Sequence, residues 1–304
     1  MRAIAGIAVL ALAGGSMCQA QADVTLPPVN LGDSTFQDGI AGPGWMAQLT
    51  LSAHRAQRFR DDRGQRTLDA AQFESVVLLG QLSVISNRRV LGAHWGGELI
   101  VPWVHAQSTP AHDSPVHTHG LGDVFISPLI LQWPQTRLGG RPFWQRLNLN
   151  VTPPTGRYST PGRLDAGRNV LQFNPHYAFT WERSDAWELS GRVHYLWTRA
   201  NHDPAPDLDA ADVQAGQAVH LNASISRSAG QDLRIGAALY ALVQVTDDRI
   251  DGVPQPGRER IVGVGPALGW SRGAVSLHAA AYIETLAKDR SEGTRLSLRY
   301  AARF

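Results

Sequence analysis

Thiol chemistry is the first thing this sequence lacks. Its one cysteine, Cys18, falls in a segment expected to be cut away. That excludes disulfides, thiolate metal sites and a cysteine nucleophile from the mature chain. An excess of one charge is missing too: 28 Lys and Arg face 26 Asp and Glu, so nothing favours nucleic acid as a partner. Helical periodicity is nearly absent beyond the first residues. No later stretch approaches the ~20 apolar residues of a helical membrane span.

What is present begins at the N-terminus. Arg2 precedes an apolar run from Ala3 to Ala13, then Gly14, Gly15 and Ser16, then AQA at 20–22. A basic start, a short apolar core and small residues at the cut site make a secretory signal peptide over 1–22. Gly15 and Met17 do not suit lipid attachment at Cys18.

The mature chain reads as a series of alternating strands near 44–57, 71–86, 90–104, 121–133, 143–153, 169–181, 187–199, 214–227, 233–245, 259–270, 274–286 and 293–304. Short connections at 87–89, 182–186, 228–232 and 271–273 alternate with longer polar ones such as 105–120, 153–168, 200–213 and 246–258. Turns on one side and loops on the other is the pattern of a transmembrane β-barrel. The faces agree. In the last strand Leu296, Leu298, Tyr300, Ala302 and Phe304 share one face, and Arg295, Arg299 and Arg303 share the other. Arginines on that face suit a watery lumen, not the core of a sandwich. Trp133, Trp144, Trp181, Trp187 and Trp270 collect beside short turns, as an interfacial aromatic belt does. The expected fold is therefore all-β: an antiparallel up-and-down barrel of about twelve strands over 44–304, in the outer membrane of a Gram-negative cell, with both chain ends periplasmic.

Residues 23–43 precede the barrel as a periplasmic or plug segment. Its motif comprises Gly32, Asp33, Ser34, Phe36, Asp38, Gly39, Gly42, Pro43 and Gly44. Gly263, Gly265, Ala267 and Gly269 put almost no side chain on one inward face, leaving room for a second piece of backbone or a ligand. Alternation aims a set of polar side chains at the lumen. Glu98, Arg146, Asn148, Asn150, Asn174 and His176 lie in its first half. Arg192, His194, His220, Tyr240, Gln244, His278, Glu284, Arg295 and Arg299 lie in its second. A slip of one residue would invert any of these strands. Prolines 102, 128, 175 and 266 fall inside expected strands, where a closed wall has no edge to take them; a kink at Pro102 and Pro128 would suit a lateral exit for apolar solutes.

Other chemistries find little support. His105, His112, His117 and His119 share one loop with Asp113. Imidazole is a common metal ligand, but one flexible loop without carboxylates at firm spacing favours a solvated reading, so neither metal nor cofactor is expected. An outer-membrane phospholipase pattern, G-x-x-H-x-S-N-G, is missing, and HTHGLGD at 117–123 does not replace it. A lipid-acting enzyme or an adhesive barrel remains the alternative to a non-enzymatic channel.

Several stretches carry a family likeness: NLGDSTFQDGIAGPGW at 30–45, GLGDV at 120–124, PPTGRY at 153–158, GRN at 167–169, NPHYAFTW at 174–181, ELSGRVHYLW, ALVQVTDD and VGPALGW. By these the chain resembles the outer-membrane proteins grouped under the meta-pathway of phenol degradation. The resemblance implies a transporter or diffusion channel for small hydrophobic or aromatic solutes. Outer-membrane lipids, and the barrel assembly machinery through the C-terminal strand, are the other expected partners.

Overall fold

A computed structural model describes residues 24–34, 36–67, 71–109, 114–159 and 164–304. The signal segment with Cys18, and the loop residues His112 and Asp113, lie outside the described residues.

Alternation builds long antiparallel strands: β1 (Gly44–Arg60), β2 (Gln72–Val90) and β3 (Ala93–Thr109). The fourth stave of the wall comes in three pieces, β4 (Val116–Leu121), β5 (Phe125–Gln132) and β6 (Thr136–Leu138). After β7 (Arg141–Thr152) the sixth is split into β8 (Gln172–Phe173) and β9 (His176–Glu182). Then come β10 (Trp187–Thr198), β11 (Val213–Gln214), β12 (Ala218–Ser228) and β13 (Leu233–Gln244). The chain finishes with β14 (Asp248–Ile250), β15 (Val253–Gln255), β16 (Arg260–Arg272), β17 (Val275–Lys288) and β18 (Arg290–Arg303). Strand β18 pairs with β1 from Arg303 opposite Met46 to Arg290 opposite Arg60. Twelve antiparallel staves thus close on themselves among the described residues. Closure leaves no edge and pairs the backbone within the wall. Strands β11, β14 and β15 form a small separate sheet at the long-loop end.

The wall is apolar outside and polar inside. Leu49, Leu51, Leu78, Leu82, Leu99, Leu296 and Leu298 are exposed, while Thr50, Ser52, His54, Asn148, His176, Asn222 and Ser297 are buried. Trp45, Trp95 and Trp187 stand exposed near the short-turn end.

Several expected details are corrected. Residues 87–89 continue the β2–β3 hairpin, and the turn falls at Leu91 and Gly92, whose φ angles of 52° and 76° suit a tight reversal. The loop expected over 105–120 is largely a paired hairpin, with β3 and β4 in register from Trp103–Leu121 to Ser108–Val116. The prolines are absorbed locally. Pro128 sits where the β5–β7 register slips, between Ile126 and Leu129. Pro175 falls in the gap between β8 and β9. Pro266 keeps its place opposite Ala237, but β16–β17 pairing lapses between Val264 and Ala267. Pro102 stays in register with Leu79, and its carbonyl accepts from Gly122 N at 3.0 Å.

The two ends of the described chain also part company. Trp45 and Phe304 exchange backbone hydrogen bonds of 2.9 and 3.0 Å at the short-turn end. Residues 24–26 lie instead at the long-loop end. There Arg168 Nη2 donates to Thr25 Oγ1 at 2.8 Å, and Leu26 N donates to Glu259 Oε1 at 2.6 Å. Phe304 thus lies at the short-turn end, and the first described residues lie at the other. The reason is that the described residues between Leu26 and Gly39 run inside the wall.

Candidate functional site

The lumen is built by two partners: the inward faces of the staves and the segment 24–43. Polar backbone inside a barrel needs partners, and the wall supplies them at successive depths. Asn222 Oδ1 accepts from Gly32 N at 2.7 Å, and its Nδ2 donates to Asn30 O at 2.9 Å. Tyr282 OH donates to Gly32 O at 3.1 Å. Ser297 Oγ donates to Asp33 Oδ1 at 2.9 Å. Nearer the short turns, Gln37 N donates to Glu188 Oε1 at 2.6 Å and Gly39 N to Thr180 Oγ1 at 2.9 Å.

The segment's sequence fits this course. Gly32 has φ of +81°, and a Cβ there would lie 2.9 Å from the Tyr282 ring. At Gly39 a Cβ would lie 2.4 Å from the Phe179 carbonyl carbon, so only glycine lets the two backbones approach. Leu31 and Phe36 are buried with Tyr240 and Tyr282 in a small apolar core. The ring of Phe36 meets His278 edge-on at 5.0 Å and lies against Gly269. The Tyr240 ring lies over Gly263. Of the residues expected to leave space, these two glycines have a ring above them.

The polar lining falls into clusters. Arg192 holds Asp38 through Nε at 2.8 Å and Nη2 at 2.6 Å. Arg146 donates to Asn148 Oδ1 at 3.0 Å, and Glu98 accepts from Gln81 Nε2 at 2.5 Å. Glu284 accepts from Tyr240 OH at 2.6 Å and Gly293 N at 2.8 Å, and meets His54 Nε2 at 2.8 Å. Arg295 lies 5.9 Å from the Tyr240 ring centre. His194 is directly opposite both His176 and His220, and their ring centres are 4.6 and 4.1 Å apart. Asn150 contacts His176 and Asn174 contacts His194, each at 3.2 Å. Arg299 reaches the lumen from β18, as does His278 from β17. Gln244 stands apart, at the long-loop mouth, where it donates to Asp248 at 2.8 Å and accepts from Glu259 N at 3.0 Å. Ser34, Gly42, Pro43 and Gly44 carry the segment toward β1, with the last three exposed.

Sequence reasoning missed part of the lining. Gln48 and His54 lie on the inward face of β1 with Thr50 and Ser52, and the same alternation would have found them. Glu188 and Thr180 are also absent from the expected set, although both bond the segment. The GLGDV, PPTGRY and GRN stretches form a clasp at the long-loop end. Asp123 accepts from Gly156 N at 2.7 Å and from Arg168 N at 2.8 Å, and Arg168 in turn holds Thr25.

This barrel has known counterparts. The crystal structure of an outer membrane channel from Pseudomonas putida F1 superposes with a TM-score of 0.76 at 15% identity, covering 91% of this chain and 100% of that one. The β domain of the Bordetella autotransporter BrkA gives 0.50 at 16% identity, over 86% of this chain and 100% of that one. At such identities the likeness is one of fold. No curated protein matches in sequence. Residues 56–300, well over half of the length, match the family described as "Putative MetA-pathway of phenol degradation", and the chain belongs to that family.

Proposed function

We propose that this protein is an outer-membrane channel for passive uptake of small hydrophobic or aromatic compounds, with residues 24–43 as a plug that governs passage. The observation that carries the reading is the lumen itself: a polar wall against whose inward side chains a strip of the chain's own N-terminal segment is docked. Wall and strip meet through side-chain hydrogen bonds, the Asp38–Arg192 ion pair and the apolar packing of Leu31 and Phe36, none of which belongs to the backbone ladder of the barrel. Phe36, Tyr240 and Tyr282 supply ring faces along the path that it occupies, suited to stacking on aromatic solutes. Family membership supports the solute class. Cleavage of the signal segment near Asp23 and reading of the C-terminal strand by assembly machinery complete the proposal; the N-terminal pattern and the apolar alternation of β18 support them.

The test is uptake of a panel of aromatic acids and alkanols by cells with the protein, without it, and with residues 24–43 deleted. Faster uptake with the protein, and faster still with the deletion, is expected. Equal rates in all three strains overturn the reading.

A further inference from the structure

The outer face of the barrel is not evenly clad in large side chains. From β10 to β18 two neighbouring cross-strand rows face the membrane. One reads Trp187, Arg227, Ile235, Leu268, Ala279, Leu298. The other reads Ile225, Ala237, Pro266 and, beyond them, Ala281 and Leu296. Ala237, Pro266, Ala279 and Ala281 are compact, and with Gly236 they floor an apolar trough of about 880 Å³. Ile225, Ile235, Leu268, Leu296 and Leu298 stand exposed around it. Its short-turn end carries Trp187 and Arg227.

We propose that this trough binds a glycerophospholipid of the periplasmic leaflet, with one acyl chain along Ala237, Pro266 and Ala281 and the phosphate on the Arg227 guanidinium. The short turns of such barrels face the periplasm, and phospholipid forms that leaflet of the outer membrane. Arg227 is next to last in β12, so it stands near headgroup height, where a lipid-facing arginine is tolerated. It is exposed, and among the described residues no side chain hydrogen-bonds or ion-pairs with its guanidinium. That group can hold two phosphate oxygens through parallel N–H donors. Trp187 lies directly opposite Arg227, and a tryptophan ring suits the same interface.

Apolar contact alone selects nothing here, because lipid tails are as apolar as the wall. Selection comes from shape and charge. A trough surrounds an acyl chain on several sides, and each added contact gains dispersion that a convex wall does not offer. A second copy of the chain suits the trough less well. A two-fold contact sets one patch against itself, so two facing troughs would leave a void and press two Arg227 charges into an apolar contact. Lipopolysaccharide carries its phosphates in the opposite leaflet, away from Arg227. The proposal rests on the outer wall and is independent of the transport reading.

The experiment titrates the full barrel in mild detergent with dioleoylphosphatidylglycerol and, separately, with lipid A, and counts bound lipid by native mass spectrometry. A single phospholipid is expected to survive collisional activation that strips the rest. Arg227→Gln should weaken its retention about tenfold, as loss of one charge-assisted contact implies. The double variant Ala237→Leu/Ala281→Leu, which fills the floor from the lipid side, should weaken it as well. Arg272 is exposed at the same end but does not line the trough, and Arg272→Gln should bind as the parent does. Heat-modifiable migration on gels confirms that each variant is folded. Retention by Arg227→Gln and by the double variant equal to the parent's overturns the proposal, as does a parent that keeps no phospholipid. Equal loss in Arg272→Gln and Arg227→Gln overturns it too, since charge at the rim would then act without the trough. So does preference for lipid A, or a dimer of the barrel that the same substitutions dissociate.

Discussion

Asp38 and Arg192, 154 residues apart in sequence, form a two-pronged ion pair inside the barrel, Nε to Oδ2 at 2.8 Å and Nη2 to Oδ1 at 2.6 Å. The Asp38 side chain is 4% exposed and that of Arg192 13%. Removing one partner of a buried pair costs about 3–5 kcal/mol, because the other charge is left uncompensated. The wall is held by its own ladder, so the cost falls on the docking of the segment. Asp38→Asn should therefore raise single-channel conductance in planar bilayers while leaving the barrel folded. A conductance equal to the parent's would show that the pair does not hold the segment in place.

Gly39 and Gly42 give a matched pair of substitutions. A Cβ at Gly39 meets the Phe179–Thr180 backbone at 2.4 Å, whereas one at Gly42 meets nothing within 4 Å. Overpacking of this kind costs about 1–3 kcal/mol, and backbone cannot swing aside. Gly39→Ala is expected to open residues 24–43 to limited proteolysis; Gly42→Ala is expected to digest as the parent does. Equal digestion of the two variants would mean that the close approach is not needed for docking.

The wall was legible because its signal is periodic. Leu296, Leu298 and Tyr300 against Arg295 and Arg299 state the two faces of β18 without any tertiary knowledge, and the tight turns mark strand ends. The lumen was legible only by half. Alternation says that Asn222 and Glu188 point inward, but not that Gly32 and Gln37 meet them, because those contacts join residues 190 and 151 positions apart. The course of 24–43 showed only as glycines and Pro43 that forbid regular structure and as the bare inward face at Gly263 to Gly269, signs that suggest a plug without saying which wall residues it meets or at which end it starts. The β3–β4 hairpin was hidden for a different reason. Histidines and threonine read as loop, yet pairing with β3 makes them strand, a case of tertiary context overriding composition.

Glu284 is the polar hub of the wall between β1, β13 and β18. It serves Tyr240 OH, Gly293 N and His54 and is 2% exposed. Glu284→Ala leaves those buried groups without their acceptor, at about 1–3 kcal/mol for each unsatisfied group. The variant should unfold at clearly lower urea in lipid vesicles, and Glu284→Gln should lose less, since an amide oxygen still accepts. A midpoint for Glu284→Ala matching that of the parent would remove the hub role.

The course of residues 24–43 makes a topological demand that most barrels do not make. Val24 and Thr25 stand at the long-loop end, held by Arg168, while Gly44 starts β1 at the opposite end. Twenty residues at up to ~3.3 Å each are ample to cross an apolar band of about 25 Å. Long loops of such barrels face the cell exterior, so Thr25 should be reachable from outside. Thr25→Cys in intact cells is expected to react with a membrane-impermeant maleimide, as Val253→Cys in the β14–β15 hairpin does. Ala229→Cys, in a short turn, should react only after lysis. The parent, whose one cysteine is Cys18, provides the blank. If Thr25→Cys follows Ala229→Cys instead, the segment enters the lumen from the periplasmic side without crossing it, and the clasp of Asp123 and Arg168 has nothing to hold.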